Sequence, residues 1–298
     1  MRLFITGATG FLGYNIVLHA VSLRHDILCL RRSTSHSLFD KETEKVIRWV
    51  NIDNPNWKQV VTDYSPDVLI HCAWGGVRGS NRDEEEVQND NILLSQALYE
   101  AYPYKQVIAM GSQAEYGFYE GPINENHATR PLTAYGKAKL KSCAMLQKYC
   151  QEKGIEWQWI RIFTIFGERQ TGGLIRMFSE KCLNNETCFD TTKGEQIYSY
   201  LYSHDFAEAI CNMIGAKGKS GIYNMSQPAT MKSNKEVIEA IKMITRSTVK
   251  VNFGALPYSD NQVMYMHGDV SKYEAAFGHI KSTDFETALK NTINSFKQ

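Results

Sequence analysis

The sequence predicts a doubly wound α/β fold, a parallel sheet with helices on both faces, and three observations carry that expectation. Short apolar runs alternate with longer helical patterns through the first 165 residues. The apolar runs are near-continuous, as strands buried on both faces must be, and parallel neighbours need a crossover helix between them. A glycine cluster separates the first such run from the first helical segment.

Taken in order, LFIT (3–6) reads as a strand and FLGYNIVLHAVSL (11–23) as a helix. DILCL (26–30) and VIRWVNI (46–52) are the second and third strands. DVLIHCA (67–73) and QVIAMGS (106–112) follow as the fourth and fifth, with a helix across 84–101 between them. A helix over 133–152 leads into the strand EWQWIRIF (156–163). Beyond 165 the rhythm loosens. The segments 172–173, 194–205 and 256–269 read as irregular, and helices are expected at 204–216, 233–246 and 283–296. The expected organisation is a dinucleotide-binding domain over 1–165 and a smaller, interleaved substrate-binding lobe over 166–298, with the ligand cleft between them.

The 298 residues are 43% hydrophobic and 22% charged, which suits one large core plus a smaller lobe and excludes disordered and fibrous classes. Lys and Arg number 33 against 32 Asp and Glu. That balance argues against nucleic acid or a membrane surface as a partner. MRLFITGATG enters a strand directly and does not read as a signal peptide. No apolar run approaches the ~20 residues of a membrane span. The seven cysteines form no Cys-x-x-Cys pair and no His-Glu-x-x-His occurs, so no metal site is expected and a reduced cytoplasm is the expected compartment.

Three motifs carry chemistry. Gly7-Ala8-Thr9-Gly10-Phe11-Leu12-Gly13 lies between strand and helix. Glycines there let the backbone approach a pyrophosphate, and the helix N-terminus offers it free N–H groups and a positive dipole end. The second strand ends in Arg31-Arg32, where an NAD site usually has a carboxylate about 20 residues past the glycines for the ribose hydroxyls. Guanidinium groups match a 2′-phosphate instead, so NADP is expected, with NAD as the alternative. Tyr135 and Lys139 are four apart on one helix face, and Ser112 ends the fifth strand. An ammonium near a phenol favours the phenolate, and Ser112 is placed to hold a substrate carbonyl while Tyr135 passes its proton.

Together with VLIHCAW (68–74), GSQAEYG (111–117), AYGKAKL (134–140), RIFTIFG (161–167), YSHDFAEAI (202–210) and GIYNMS (221–226), these motifs resemble the extended short-chain dehydrogenase/reductases that act on nucleotide sugars. The resemblance spans nearly the whole chain. It implies a Rossmann fold and a catalytic trio of Ser112, Tyr135 and Lys139. It also implies a cofactor lined by the 7–13 loop, Arg31, Arg32, Asn51, Ile52, Cys72 and Ala73, with Asp53 as an alternative to Asn51. A homodimer built on the helices near 84–101 and 133–152 is a further implication.

Departures from the family pattern narrow the reaction. Sugar-nucleotide dehydratases of this family carry Asp-Glu where this chain has Gln113-Ala114, and 3,5-epimerising reductases place a cysteine at Ala114. Neither residue here transfers protons. Glu115 reads as structural, beside Tyr116, and His71 as a satisfied structural histidine. The run Asp83-Glu84-Glu85-Glu86 reads as a helix start that complements its dipole.

Thr164 replaces a usual asparagine, and Tyr198 an arginine that binds the diphosphate. Arg176, Arg169 or Gln170 are candidates for that contact, and Trp74 and Tyr116 are candidate walls for sugar or nicotinamide. The expected function is reduction of a nucleotide-activated 4-keto-6-deoxysugar by NADPH, with a shorter likeness to CDP-abequose and CDP-paratose synthase-type reductases. The alternatives are a 4-epimerase, and a redox-sensing binding protein that has lost chemistry.

Overall fold

The computed structural model describes residues 1–259 and 262–297. The chain opens with β1 (Arg2–Thr6), α1 (Phe11–Ser22), β2 (Asp26–Arg31), α2 (Lys41–Val46), β3 (Ile47–Asn51) and α3 (Trp57–Tyr64). It continues with β4 (Val68–His71), α4 (Glu85–Tyr99), β5 (Gln106–Met110) and α5 (Ala134–Lys153). Five of these strands and two later ones form a parallel sheet ordered Gly221–Met225, Glu156–Ile162, β5, β4, β1, β2, β3. The strand order reverses between β1 and β4, and the crevice outside their carboxyl ends is where such sheets bind ligands.

Both faces of the sheet are buried, which explains the unbroken apolar strands. Leu3 and Ile5 of β1 enter one cluster with Ile16 and Phe206, while Phe4 between them enters the other with Trp57, Leu98 and Leu146. Side chains alternate across a strand, so each face takes every second residue.

The later helices are α6 (Leu174–Leu183), α7 (Ser203–Cys211), α8 (Asn234–Thr245), α9 (Ser271–Phe277) and α10 (Phe285–Ser295). Phe178, Val237, Ile241 and Leu289 of α6, α8 and α10 build a third core with Phe166 and Tyr200. A four-stranded sheet of Met231–Ser233, Ile197–Ser199, Tyr265–Gly268 and Gly121–Ile123 stands beside it. Among the described residues no helix is long and apolar enough to cross a membrane.

Several local expectations change. Val46 belongs to α2, not to a strand, because Asp40 caps that helix by accepting from the amides of Glu42 and Thr43. A helix forms over Trp57–Tyr64, where none was expected, and buries Trp57, Val61 and Tyr64. The stretches 194–205 and 256–269 are not irregular throughout, since Ile197–Ser199 and Tyr265–Gly268 pair with each other. Residues Gly221–Met225 extend the main sheet, so the chain beyond 165 contributes to both structural layers.

Candidate active site

The site begins at the turn after β1. Gly7 has φ +75°, and a Cβ there would stand 2.7 Å from the Ala73 amide nitrogen. A Cβ on Gly13 would lie 2.2 Å from the Gly7 carbonyl oxygen, so α1 packs on the turn only without a side chain. Gly10 is the N-cap of α1 and gives no side-chain cap, which leaves the first amides of that helix for an anion. From this turn a cleft of about 370 Å³ runs past Gly7, Thr9, Gly10, Cys72 and Ala73 to Arg31, Arg32, Ser35 and Ile52 at one end and Trp74 at the other. The bare turn, the free helix amides and the arginines fit a dinucleotide carrying phosphates.

Arg31 donates from Nε to Asn51 Oδ1 at 3.2 Å, and its guanidinium lies 4.7 Å from the Trp49 ring centroid. The pair is held by the parallel register of β2 and β3, in which Arg31 faces Asn51. Asp53 instead accepts from the Ser33 amide at 2.6 Å and ties the two loops together, which places Asn51, not Asp53, at the arginine. Phe11, Leu12 and Gly13 form the first turn of α1 and are not among the cleft lining. Ser35, Asn91 and Leu94 line the cleft without having been singled out in the sequence. Asn91 grips both backbone groups of Gly75, at 2.7 and 3.0 Å, and no sequence signal announces that role.

Ser112, Tyr135 and Lys139 are all buried, on the turn after β5 and the first two turns of α5. Thr133 starts that helix by capping the Gly136 amide at 3.1 Å. Lys139 Nζ donates to the Met110 carbonyl at 2.6 Å and lies 3.6 Å from the Trp74 ring centroid. Burial pulls its ammonium down to about 7, opposed by the Glu115 carboxylate. Burial pushes the Tyr135 phenol above its ordinary value, opposed by the Ser112 side chain and then the Arg82 guanidinium, and reinforced by Glu115.

The four-residue spacing thus brings Lys139 to the trio, but its Nζ is 5.8 Å from the Tyr135 ring and turned to Met110 and Trp74. The cation against the tyrosine is Arg82, its guanidinium 4.3 Å from the ring centroid. The sequence reading missed Arg82, because nothing in the local pattern of an irregular loop points it at a helix 53 residues away.

Glu115 is fully buried and pairs with Arg161 at 2.8 Å, while Trp159 Nε1 donates to its other oxygen at 2.9 Å. The backbone amide of Ser112 also donates to that second oxygen, at 2.9 Å. With both oxygens engaged, Glu115 frames the turn that carries Ser112. His71 likewise bridges Thr6 Oγ1 at 2.8 Å and Ser95 Oγ at 3.0 Å, inside the sheet.

The expected substrate residues divide. Trp74 stands at the meeting of the cleft and the trio, its ring edge-on to Tyr135 at 6.3 Å. Tyr116 is only 2% exposed, under Arg161, with its hydroxyl donating to Asn224 at 2.7 Å, so it is a core residue and not an open wall. Thr164 receives the Leu201 amide on its carbonyl at 2.9 Å, at a strand junction. Tyr198 donates to the Val263 carbonyl at 2.6 Å within the second sheet. Arg176 is bound to Glu180, one turn along α6, and its guanidinium lies 4.3 Å from the Phe296 ring centroid. Arg78 reaches the segment after residue 165, its Nη1 donating to Thr171 Oγ1 at 3.4 Å.

A parallel sheet with a bare phosphate turn at its switch point and a buried Ser–Tyr–Lys group defines a dinucleotide-dependent oxidoreductase site of the short-chain type. The model of the NAD dependent epimerase/dehydratase family matches residues 3–226, and the chain belongs to that family. It is 25% identical over 99% of its length to a putative UDP-glucose 4-epimerase of Methanocaldococcus jannaschii, covering 98% of that protein. It is also 25% identical to the CDP-abequose synthase of Salmonella muenchen, over 91% of this chain and 89% of that one. The crystal structure of UDP-glucose 4-epimerase with UDP-glucose from Thermotoga maritima superposes with a TM-score of 0.87 at 20% identity, covering 100% of this chain and 99% of that one.

Proposed function

We propose that the protein is an NADPH-dependent reductase of a nucleotide-activated 4-keto-6-deoxysugar. The observation that carries this reading is the end of the cleft where Arg31, Arg32 and Ser35 stand; among the described residues no carboxylate lines that wall, and the nearby Asp53 is turned to the Ser33 amide. Guanidinium groups suit a 2′-phosphate, while a neutral diol calls for a carboxylate. The likeness to CDP-abequose synthase supports the reaction class.

The residues divide the work as follows. Gly7, Gly10 and the open start of α1 would hold the pyrophosphate, and Cys72 and Ala73 the floor beside it. A dinucleotide held there would supply the hydride for reduction of the sugar ketone. Tyr135 donates its phenolic proton to the forming alkoxide, Ser112 donates a hydrogen bond to the same oxygen, and Lys139 orients the nicotinamide ribose. Gln113 and Ala114 supply no further proton transfer, so reduction ends the reaction without dehydration. Residues 166–298 would supply most of the sugar-nucleotide site, and α4 with α5 the face of a homodimer. Seven unpaired cysteines favour the cytoplasm.

The second reading is a nucleotide-sugar 4-epimerase with retained NAD, which the match to a UDP-glucose 4-epimerase over nearly the full length favours. Incubation with NADPH and a panel of CDP-, dTDP-, GDP- and UDP-linked 4-keto-6-deoxysugars separates the two. Stoichiometric NADPH oxidation is expected. Interconversion of UDP-glucose and UDP-galactose with no net cofactor change would overturn the reductase in favour of the epimerase.

A further inference from the structure

We propose that Arg82 is a positioning residue for this chemistry, its guanidinium clamping the Tyr135 ring from the loop side and setting positive charge beside the phenol. The inference rests on the reading of Tyr135 as proton donor. Four hydrogen bonds from three side chains build the placement. Arg82 Nη1 donates to the Val77 carbonyl at 2.9 Å, which folds the side chain back over its own loop. The next residue, Asp83, accepts from the Ala134 amide at 3.1 Å and pins the loop to the start of α5, one residue from Tyr135. Gln88 then donates to the carbonyls of Gly76 and Asn81, each at 3.0 Å, closing the loop from inside. Arg82 therefore reaches Tyr135 from an anchored segment.

The groups that face Tyr135 come from four places: Ser112 and Glu115 on the turn after β5, Arg82 on the loop after β4, Trp74 at the loop's start, and Lys139 on its own helix. Lys139 is committed to the Met110 carbonyl and the Trp74 ring. Glu115 is paired with Arg161 and acts with burial against ionisation of the phenol. When Tyr135 gives up its proton, the phenolate that forms has Arg82 as the cation lying on its ring. Arg82 opposes the effect of burial on the phenol, as Ser112 does.

The test uses the full chain without cofactor, labelled with 3-fluorotyrosine, with the Tyr135 fluorine resonance assigned by its loss in Tyr135→Phe. In Arg82→Gln, which keeps volume and removes charge, that resonance should titrate at higher pH than in the parent protein, and Arg82→Lys should restore most of the difference. In NADPH-dependent turnover Arg82→Gln should lower kcat roughly tenfold with KM little changed, and the kcat–pH profile should move the same way. An unmoved resonance in Arg82→Gln overturns the proposal, as does a lysine variant displaced as far as glutamine. Absence of turnover in the parent protein, with the resonance still moved by Arg82→Gln, instead defeats the reductase reading and leaves the Arg82–Tyr135 coupling standing.

Discussion

The ammonium of Lys139 lies 3.6 Å from the centre of the Trp74 ring, and that same ring ends the cleft that starts at Gly7. A cation held face-on to an indole in a buried site is worth about 0.5–2 kcal/mol. Trp74 is fixed further by donating from Nε1 to Gln88 at 2.9 Å. On the proposed reading, a ribose seated on Lys139 would displace the indole, and cofactor entry would then cost the Lys139–Trp74 contact.

Trp74→Ala should therefore tighten NADPH binding, by roughly fivefold if about 1 kcal/mol of that contact is released. Isothermal titration calorimetry measures it. Weaker binding in the variant would make the indole a platform for the cofactor and not an obstacle.

Tyr135→Phe should leave NADPH affinity within about twofold and reduce turnover at least a hundredfold, since only the proton donor is lost. Lys139→Ala should weaken both. Retention of turnover by the phenylalanine variant in a stopped-flow assay would remove Tyr135 from the mechanism.

On the proposed reading, Arg31 and Arg32 set cofactor choice. Replacement of both by Asp and Ser should reverse a preference for NADPH over NADH of roughly 10- to 100-fold, the equivalent of about 1.5–3 kcal/mol for a charge-assisted contact. Equal binding of the two dinucleotides by the parent protein would show that the arginines serve only the loop.

Burial, with the Lys139 charge nearby, holds the His71 imidazole down at about 3, against an ordinary 6.5. The unfolded chain binds a proton there between those values and the folded chain does not. Stability from this group is therefore complete above about pH 6.5 and is lost as pH falls toward 3, on the order of a few kcal/mol in all. Urea denaturation across that window should show a slope that His71→Gln flattens. A variant with the same acid slope would assign it to carboxylates elsewhere.

Glu115→Gln should cost about 3–5 kcal/mol, because it leaves Arg161 buried and charged without its partner. Exchange of both residues for apolar ones of similar size should cost much less. Chemical denaturation of the single and paired variants compares the two.

The order of β1–β5 and of α1, α4 and α5, the glycine turn after β1 and the shared helix face of Tyr135 and Lys139 were legible in the sequence, because each rests on short-range rules. Strand burial on both faces shows in unbroken runs such as Leu3–Ile5, a positive φ asks for Gly7, and a helix period of 3.6 brings Tyr135 and Lys139 to one face. Tertiary structure alone decided what surrounds them. The ion pair of Glu115 with Arg161 spans 46 residues, and the strand Gly221–Met225 joins the main sheet from beyond the second lobe's first elements. Tyr116 faces Asn224, not a ligand, because that added strand covers it. Trp74 and Arg82 sit on the trio because Gln88, Asn91 and Asp83 shape the loop between them through side-chain contacts to backbone. Contacts of that kind depend on where a loop closes in space, which periodicity along the chain does not encode.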